Sequence, residues 1–73
     1  MNDLHQIREL DVVALIVDLP DLKLVRGQVG TVVFVYSPDS FEVEFVDDES
    51  RTYALTTLTT PLLLRLHYKP IAA

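Results

Sequence analysis

Nucleophilic catalysis needs a serine or cysteine within reach of a histidine that a carboxylate orients, and this chain is poorly supplied for it. It has no cysteine and only two histidines, His5 and His67, near opposite ends of the sequence and far from any serine. His67 reads as a surface side chain at the end of the last expected strand. Two imidazoles and no thiolate also fall short of a transition-metal ligand set. The run Asp47-Asp48-Glu49 could attract calcium loosely, but it lacks the alternating ligands and central glycine of a calcium loop. Carboxylate acid–base pairs need a pocket that raises one pKa, and a chain of 73 residues has little interior to spare. No catalytic residue, metal site or cofactor is expected, so the chain reads as a binding protein and not an enzyme.

The residues that could bind lie in the charge distribution. The net charge is −5. Residues 39–49 hold Asp39, Glu42, Glu44, Asp47, Asp48 and Glu49 with no basic residue among them. The remainder has five acids against six Lys and Arg, so the whole negative excess falls on one hairpin. Such a cluster has two readings. It can be a solvated face that keeps an apolar chain soluble and blocks edge pairing, or a docking surface that steers a basic protein partner. Phe34, Tyr36 and Tyr53 stand near it and complete the candidate partner surface with Glu42, Glu44, Asp47, Asp48 and Glu49. A strand tyrosine can line a peptide groove or simply pack at the rim of a core. Phosphate-backbone binding calls for several cations on one face. Only Lys23 and Arg26 are close together, with Arg51, Arg65 and Lys69 scattered, so the charge counts against nucleic acid.

These side chains must be carried by one small domain. At this size folding buries only about 60% of the unfolded chain's surface, and disulfides and metals are not available to help. Hydrophobic residues, mostly Val and Leu, make up 49% of the chain, which suits one packed core. No apolar run approaches a membrane span. The first ten residues are polar with no signal-peptide core, and a cytoplasmic location is expected.

Residues 1–10 read as a lead-in. Leu4, Ile7 and Leu10 are spaced for one helical turn capped by Asn2 or Asp3. Strands are expected over 11–17, 28–36, 41–46, 51–57 and 62–67, from β-branched content and turn signals at Pro20, Ser37-Pro38-Asp39-Ser40, residues 47–50 and Thr59-Thr60-Pro61. The first is expected to be buried on both faces. Phe41, Val43 and Phe45 alternate inward with Glu42 and Glu44 outward, whereas either register of residues 28–36 exposes apolar side chains. Residues 68–73 form a tail. A long first loop, two tight hairpins and a proline turn before a short last strand is the order of an SH3-like barrel. The fold expected is therefore all-β, a small five-stranded SH3-like barrel over 11–67 in a single domain.

Gly27 and Gly30 are the only glycines. Phosphate cradling would need a helix to follow them, and a strand follows instead. They therefore read as structural, a turn and a bulge that coil the strand.

The same region carries two resemblances. Asp11-Val12-Val13, an interval ending in Arg26-Gly27, and Gly30-Thr31-Val32-Val33 resemble the KOW motif of SH3-like barrels in ribosomal and transcription-elongation proteins, which implies an RNA- or ribosome-associated role. The segments IRELDVVALIVDLP, LVRGQVGTVV, FEVEFVD and RTYALTTL, within residues 7–66, resemble the bacterial family of domain of unknown function 4926. That resemblance implies a stand-alone SH3-like barrel with no catalytic residues to carry over. It also implies an accessory or antitoxin-like role beside another small protein, and a polar residue in the family pattern where this chain has Phe34. Three functions remain open at this point: a protein-interaction module, an RNA-associated barrel, or a homo-oligomer in which the apolar strands 11–17 and 28–36 overflow into a dimer interface.

Overall fold

The clean alternation of residues 40–46 fixes the centre of the structure. In the computed structural model, which describes residues 6–67, strand β3 (Ser40–Val46) buries Phe41, Val43 and Phe45 completely and leaves Glu42 and Glu44 on the other side. Around it stand β1 (Val12–Leu15), β2 (Val29–Ser37), β4 (Thr52–Thr59) and β5 (Leu63–Arg65). The five strands form one antiparallel sheet in the order β4-β3-β2-β1-β5. The described residues contain no α-helix, only two 3-10 turns at Pro20–Leu22 and Thr60–Leu62. The sheet is not closed by hydrogen bonds, because β4 and β5 are its two ends and are not paired with each other.

The inward positions of all five strands supply the core: Val13 and Leu15, Val32, the β3 triad, Leu58 and Leu63. Each such side chain is worth roughly 1.5–3 kcal/mol when fully removed from water. Two further members come from outside the sheet. Ile7 folds in from the lead-in, and Leu24 folds in from the long β1–β2 loop with no exposed surface. Leu24 is set there by a bridge to Leu19 across the 3-10 turn, with Lys23 in the left-handed region at φ 58°. Asp18 accepts from the Arg26 N–H at 2.9 Å, and the Gln28 side chain accepts from the Val25 N–H at 2.6 Å. The loop is thus tied down at both ends.

Residues 28–36, whose register the sequence leaves open, resolve through irregular pairing. Val32 pairs with Val43 but Phe34 pairs with Glu42, so Val33 is an extra residue in β2. A bulge of this kind reverses the alternation. Gly30 and Val32 face inward before it, Val35 packs on the core after it, and Phe34 turns out beside Glu42. The same device recurs at Tyr36, between the Val35–Phe41 and Ser37–Ser40 pairs, and at Tyr53, between the pairs made by Thr52 and Ala54.

Some expectations change at the ends of elements. The first strand stops at Leu15 rather than at residue 17, and it alternates buried with half-buried positions instead of burying both faces. The fifth begins at Leu63, because Pro61 starts a 3-10 turn over Thr60–Leu62. Residues 6–10 form no helical turn. Leu10 is exposed and holds φ at 74°, a left-handed conformation that no helix continues through. Instead the Asp11 carboxylate accepts from the Arg8 N–H at 2.8 Å, and the Asp11 N–H donates back to the Arg8 carbonyl. Asn2, Asp3, Leu4, His5 and the tail 68–73 lie outside the described residues.

The two glycines answer different needs. Gly27 adopts φ 96° with open space around it, whereas a Cβ on Gly30 would stand 2.7 Å from Val43 Cγ1 and 2.9 Å from the Glu44 carbonyl oxygen. Gly30→Ala is therefore expected to destabilise the fold by about 1–3 kcal/mol through overpacking. Gly27→Ala should cost roughly 1–2 kcal/mol through backbone strain alone. Urea unfolding would show both as lower midpoints at unchanged slope, and an unaffected Gly30→Ala would refute the close approach.

Candidate functional site

Directly paired residues of an antiparallel sheet point to the same side, so the registers define its outer face. Glu42 lies between Phe34 of β2 and Thr57 of β4, and Glu44 lies between Thr31 and Leu55. The face continues through Val29 and Ala14 to Leu64 on β5. Phe34, Tyr36 and Leu55 are each more than half exposed there. The two aromatic rings meet edge to face, 5.0 Å between centroids, an arrangement that holds both in place beyond simple burial.

Hydroxyl groups orient the two carboxylates. The Tyr36 hydroxyl donates to Glu42 Oε1 at 3.0 Å, and the Thr57 hydroxyl donates to the same oxygen at 2.8 Å. The Thr52 hydroxyl donates to Glu44 Oε2. Each carboxylate keeps its second oxygen for another donor. The hydrogen bond to Glu42 raises the Tyr36 hydroxyl above its ordinary pKa, with desolvation and the Glu42 charge acting in the same direction.

The acidic residues of the β3–β4 turn are built differently. The Asp47 side chain accepts from the backbone N–H groups of Glu49 and Arg51 at 2.8 and 3.0 Å, and from Arg51 Nε at 3.3 Å. Arg51 Nη2 reaches Glu49 at 2.7 Å. Ser50 takes φ 64° to close the turn. Asp47, Asp48, Glu49 and Arg51 surround an open depression of about 190 Å³. Part of the expected acidic surface is therefore turn architecture, its charge partly offset by an arginine two residues past the acidic run.

The candidate residues thus fall into three places. Phe34, Tyr36, Glu42 and Glu44 are together on the outer face. Asp47, Asp48 and Glu49 belong to the turn. Tyr53 sits apart at a rim position, accepting from the Gln28 side-chain amide at 3.2 Å with its ring 6.2 Å from that of Phe45. Leu55 was missed by sequence reasoning, although its alternation with Ala54 and Thr56 could have placed it on the face. His67 is exposed. Among the described residues, no group of three His, Cys, Asp or Glu side chains converges to hold a metal ion, and no helix is long and apolar enough to cross a membrane.

The Arg51 N–H, then that of Glu49 and the Arg51 side chain, hold Asp47 below the ordinary carboxylate range. A depressed folded-state pKa gives stability that is fully present above the unfolded value of about 3.9. That stability is lost as pH falls through the folded value. Asp47→Asn should therefore be less stable than the parent at neutral pH, with the gap shrinking as the solution is acidified. Thermal unfolding of both proteins across that range would check it, and a constant gap would mean that the charge of Asp47 contributes nothing.

Comparison with known proteins returns no matching curated protein and no matching solved structure. One family model matches, over residues 9–64. These residues include β1 to β4, all of β5 but Arg65 and every residue of the candidate partner surface, and the chain belongs to the family described as Domain of unknown function (DUF4926).

Proposed function

We propose that the chain is a non-catalytic protein-interaction module that docks a basic segment of a partner protein on the outer face of β2, β3 and β4. The observation that carries this reading is the half-exposed pair Phe34–Tyr36 held beside Glu42 and Glu44 on one face. An arginine or lysine of the partner would lay its apolar stem and charge on the aromatic pair. Its head would reach the oxygens of Glu42 and Glu44 that the hydroxyls leave open, making charge-assisted hydrogen bonds. An accessory or antitoxin-like role beside a second small protein fits such a surface.

The finer fold reading belongs here too. The strand order β4-β3-β2-β1-β5, the long β1–β2 loop and the 3-10 turn before β5 support an SH3-like barrel whose curled sheet closes by side-chain packing and not by a complete ladder.

The placement of the cations favours protein over RNA. Arg51 is engaged by Asp47 and Glu49, and Arg65 by Asp11 at 3.1 Å. Lys23 and Arg26 are exposed on the long loop, too few for a backbone track. The KOW-like segment over residues 11–33 therefore reads as β1, its loop and the start of β2.

Affinity capture from the source cell's lysate tests the proposal. The wild-type protein should retain a basic partner. The variants Glu42→Lys/Glu44→Lys and Phe34→Ala should lose it or bind at least roughly tenfold more weakly, with folding verified by circular dichroism. Unchanged capture by the double variant would sink the reading, and retention of RNA on filters at low salt would reverse it in favour of nucleic acid.

A further inference from the structure

The two edges of the sheet are not alike. β5 has three residues, follows Pro61 and carries Arg65 paired to Asp11. Short length, proline and charge are the devices that keep an edge from pairing. β4 has none of them. Its eight residues, Thr52–Thr59, include no charge, proline or glycine, and five of the eight are Thr, Tyr or other residues fitted to a pleated surface. It pairs with β3 on one side only. No backbone hydrogen bond from any other described residue reaches its outer side.

We infer that the outer edge of β4 is a strand-addition site for a second copy of this chain, joined antiparallel about a twofold axis. Three features select that occupant. First, β4 itself is neutral, and the carboxylates of the adjoining strand, Glu42 and Glu44, lie one strand inward and already accept from Thr57 and Thr52 of β4. The edge strand therefore has no charge of its own to pair with a charged strand, and suits an uncharged one such as its own copy. Second, a twofold axis through the sheet sets like faces side by side, so Leu55 and Thr57 of one copy stand opposite or diagonal to their own counterparts. Leu55, 56% exposed in the monomer, gains an apolar neighbour. Third, antiparallel pairing sends the two acidic turns to opposite ends. Eight residues at about 3.3 Å each separate them by roughly 26 Å, well beyond the screening length of about 8 Å in physiological salt. A parallel pairing would instead set the two acidic turns side by side.

The result is one continuous sheet of both copies, with the two Phe34–Tyr36 faces on the same side. The edge borders the docking face at Leu55 and Thr57, but strand addition uses the backbone of β4, whereas docking centres on the Phe34–Tyr36 pair beside Glu42 on β2 and β3.

Sedimentation and light scattering of the full chain, from micromolar to millimolar concentration, should show a rise toward twice 8.3 kDa. Hydrogen exchange should slow with concentration at the amides of Thr52–Thr59 and not at those of β5. Leu55→Glu and Leu55→Lys alter an exposed position, and each should weaken the dimer by roughly tenfold or more. Mixing the two variants should restore it. A monomer at every concentration would overturn the inference. So would a dimer insensitive to both variants, or protection that appears elsewhere than β4.

Discussion

Gly30 is where β2 crosses the inward face of β3, and the two strands approach so closely there that a single methyl group would collide with Val43 and with the Glu44 carbonyl. Val43 and Phe45 fill the space a side chain at residue 30 would have taken, and both are fully buried. The close approach lets a short sheet curl tightly enough to enclose a core. With no cysteine in the sequence, packing carries that burden without a covalent staple. Leu24 and Ile7, neither of them in a strand, fill what the curled sheet alone leaves open.

The curl dictates the rest of β2. The strand must keep Gly30 and Val32 inward, and it must also deliver Val35 to the core three positions later, which strict alternation forbids. The extra residue at Val33 reconciles the two demands. Its consequence is that Phe34 turns outward into cross-strand register with Glu42. The aromatic–acidic face is thus a product of core packing. The same interaction that closes the interior puts an aromatic ring where water or a partner meets it. The bulges at Tyr36 and Tyr53 act likewise, bringing one ring to Phe34 and the other to Gln28 and Phe45.

What could be read from the sequence follows the same division. β3 was legible because its hydrophobic residues obey period two without interruption, and its inward and outward sets agree with the structure residue for residue. β2 was not, because an inserted residue is invisible to a periodic template: Val29–Ser37 is apolar on either phase, and only the pairing partner decides. The acidic cluster was legible as a count but not as an arrangement. Arg51 lies just outside the acidic run, and its role depends on a turn whose closure needs Ser50 at positive φ. Leu24 falls in the long first loop, where no period marks it as core, since its burial comes with a local bridge to Leu19. Tyr53, near the acidic residues in the sequence, is carried away from them by the β4 bulge.

In a sheet this small the same strands carry both the core and the exposed surface, and the pleat is what separates the two. On β3 and β4 the inward residues Phe41, Val43, Phe45 and Leu58 are buried or nearly so, while Glu42, Glu44, Leu55 and Thr57 alternate with them on the outside. Substitutions on the outer set remove little apolar burial, so the surface chemistry can vary without loss of the core. The hydroxyl–carboxylate bonds from Thr52, Thr57 and Tyr36 tie that outer chemistry to the frame. They cost no buried charge, because both glutamates remain within reach of water, and they restrict each carboxylate to a defined position. A rigid carboxylate beside a fixed aromatic pair loses less entropy on meeting a cation than a freely moving side chain would. On the docking proposal, the side-chain hydrogen bonds that tie Tyr36, Thr52 and Thr57 to the glutamates of β3 would also prepare the outer face for a cation.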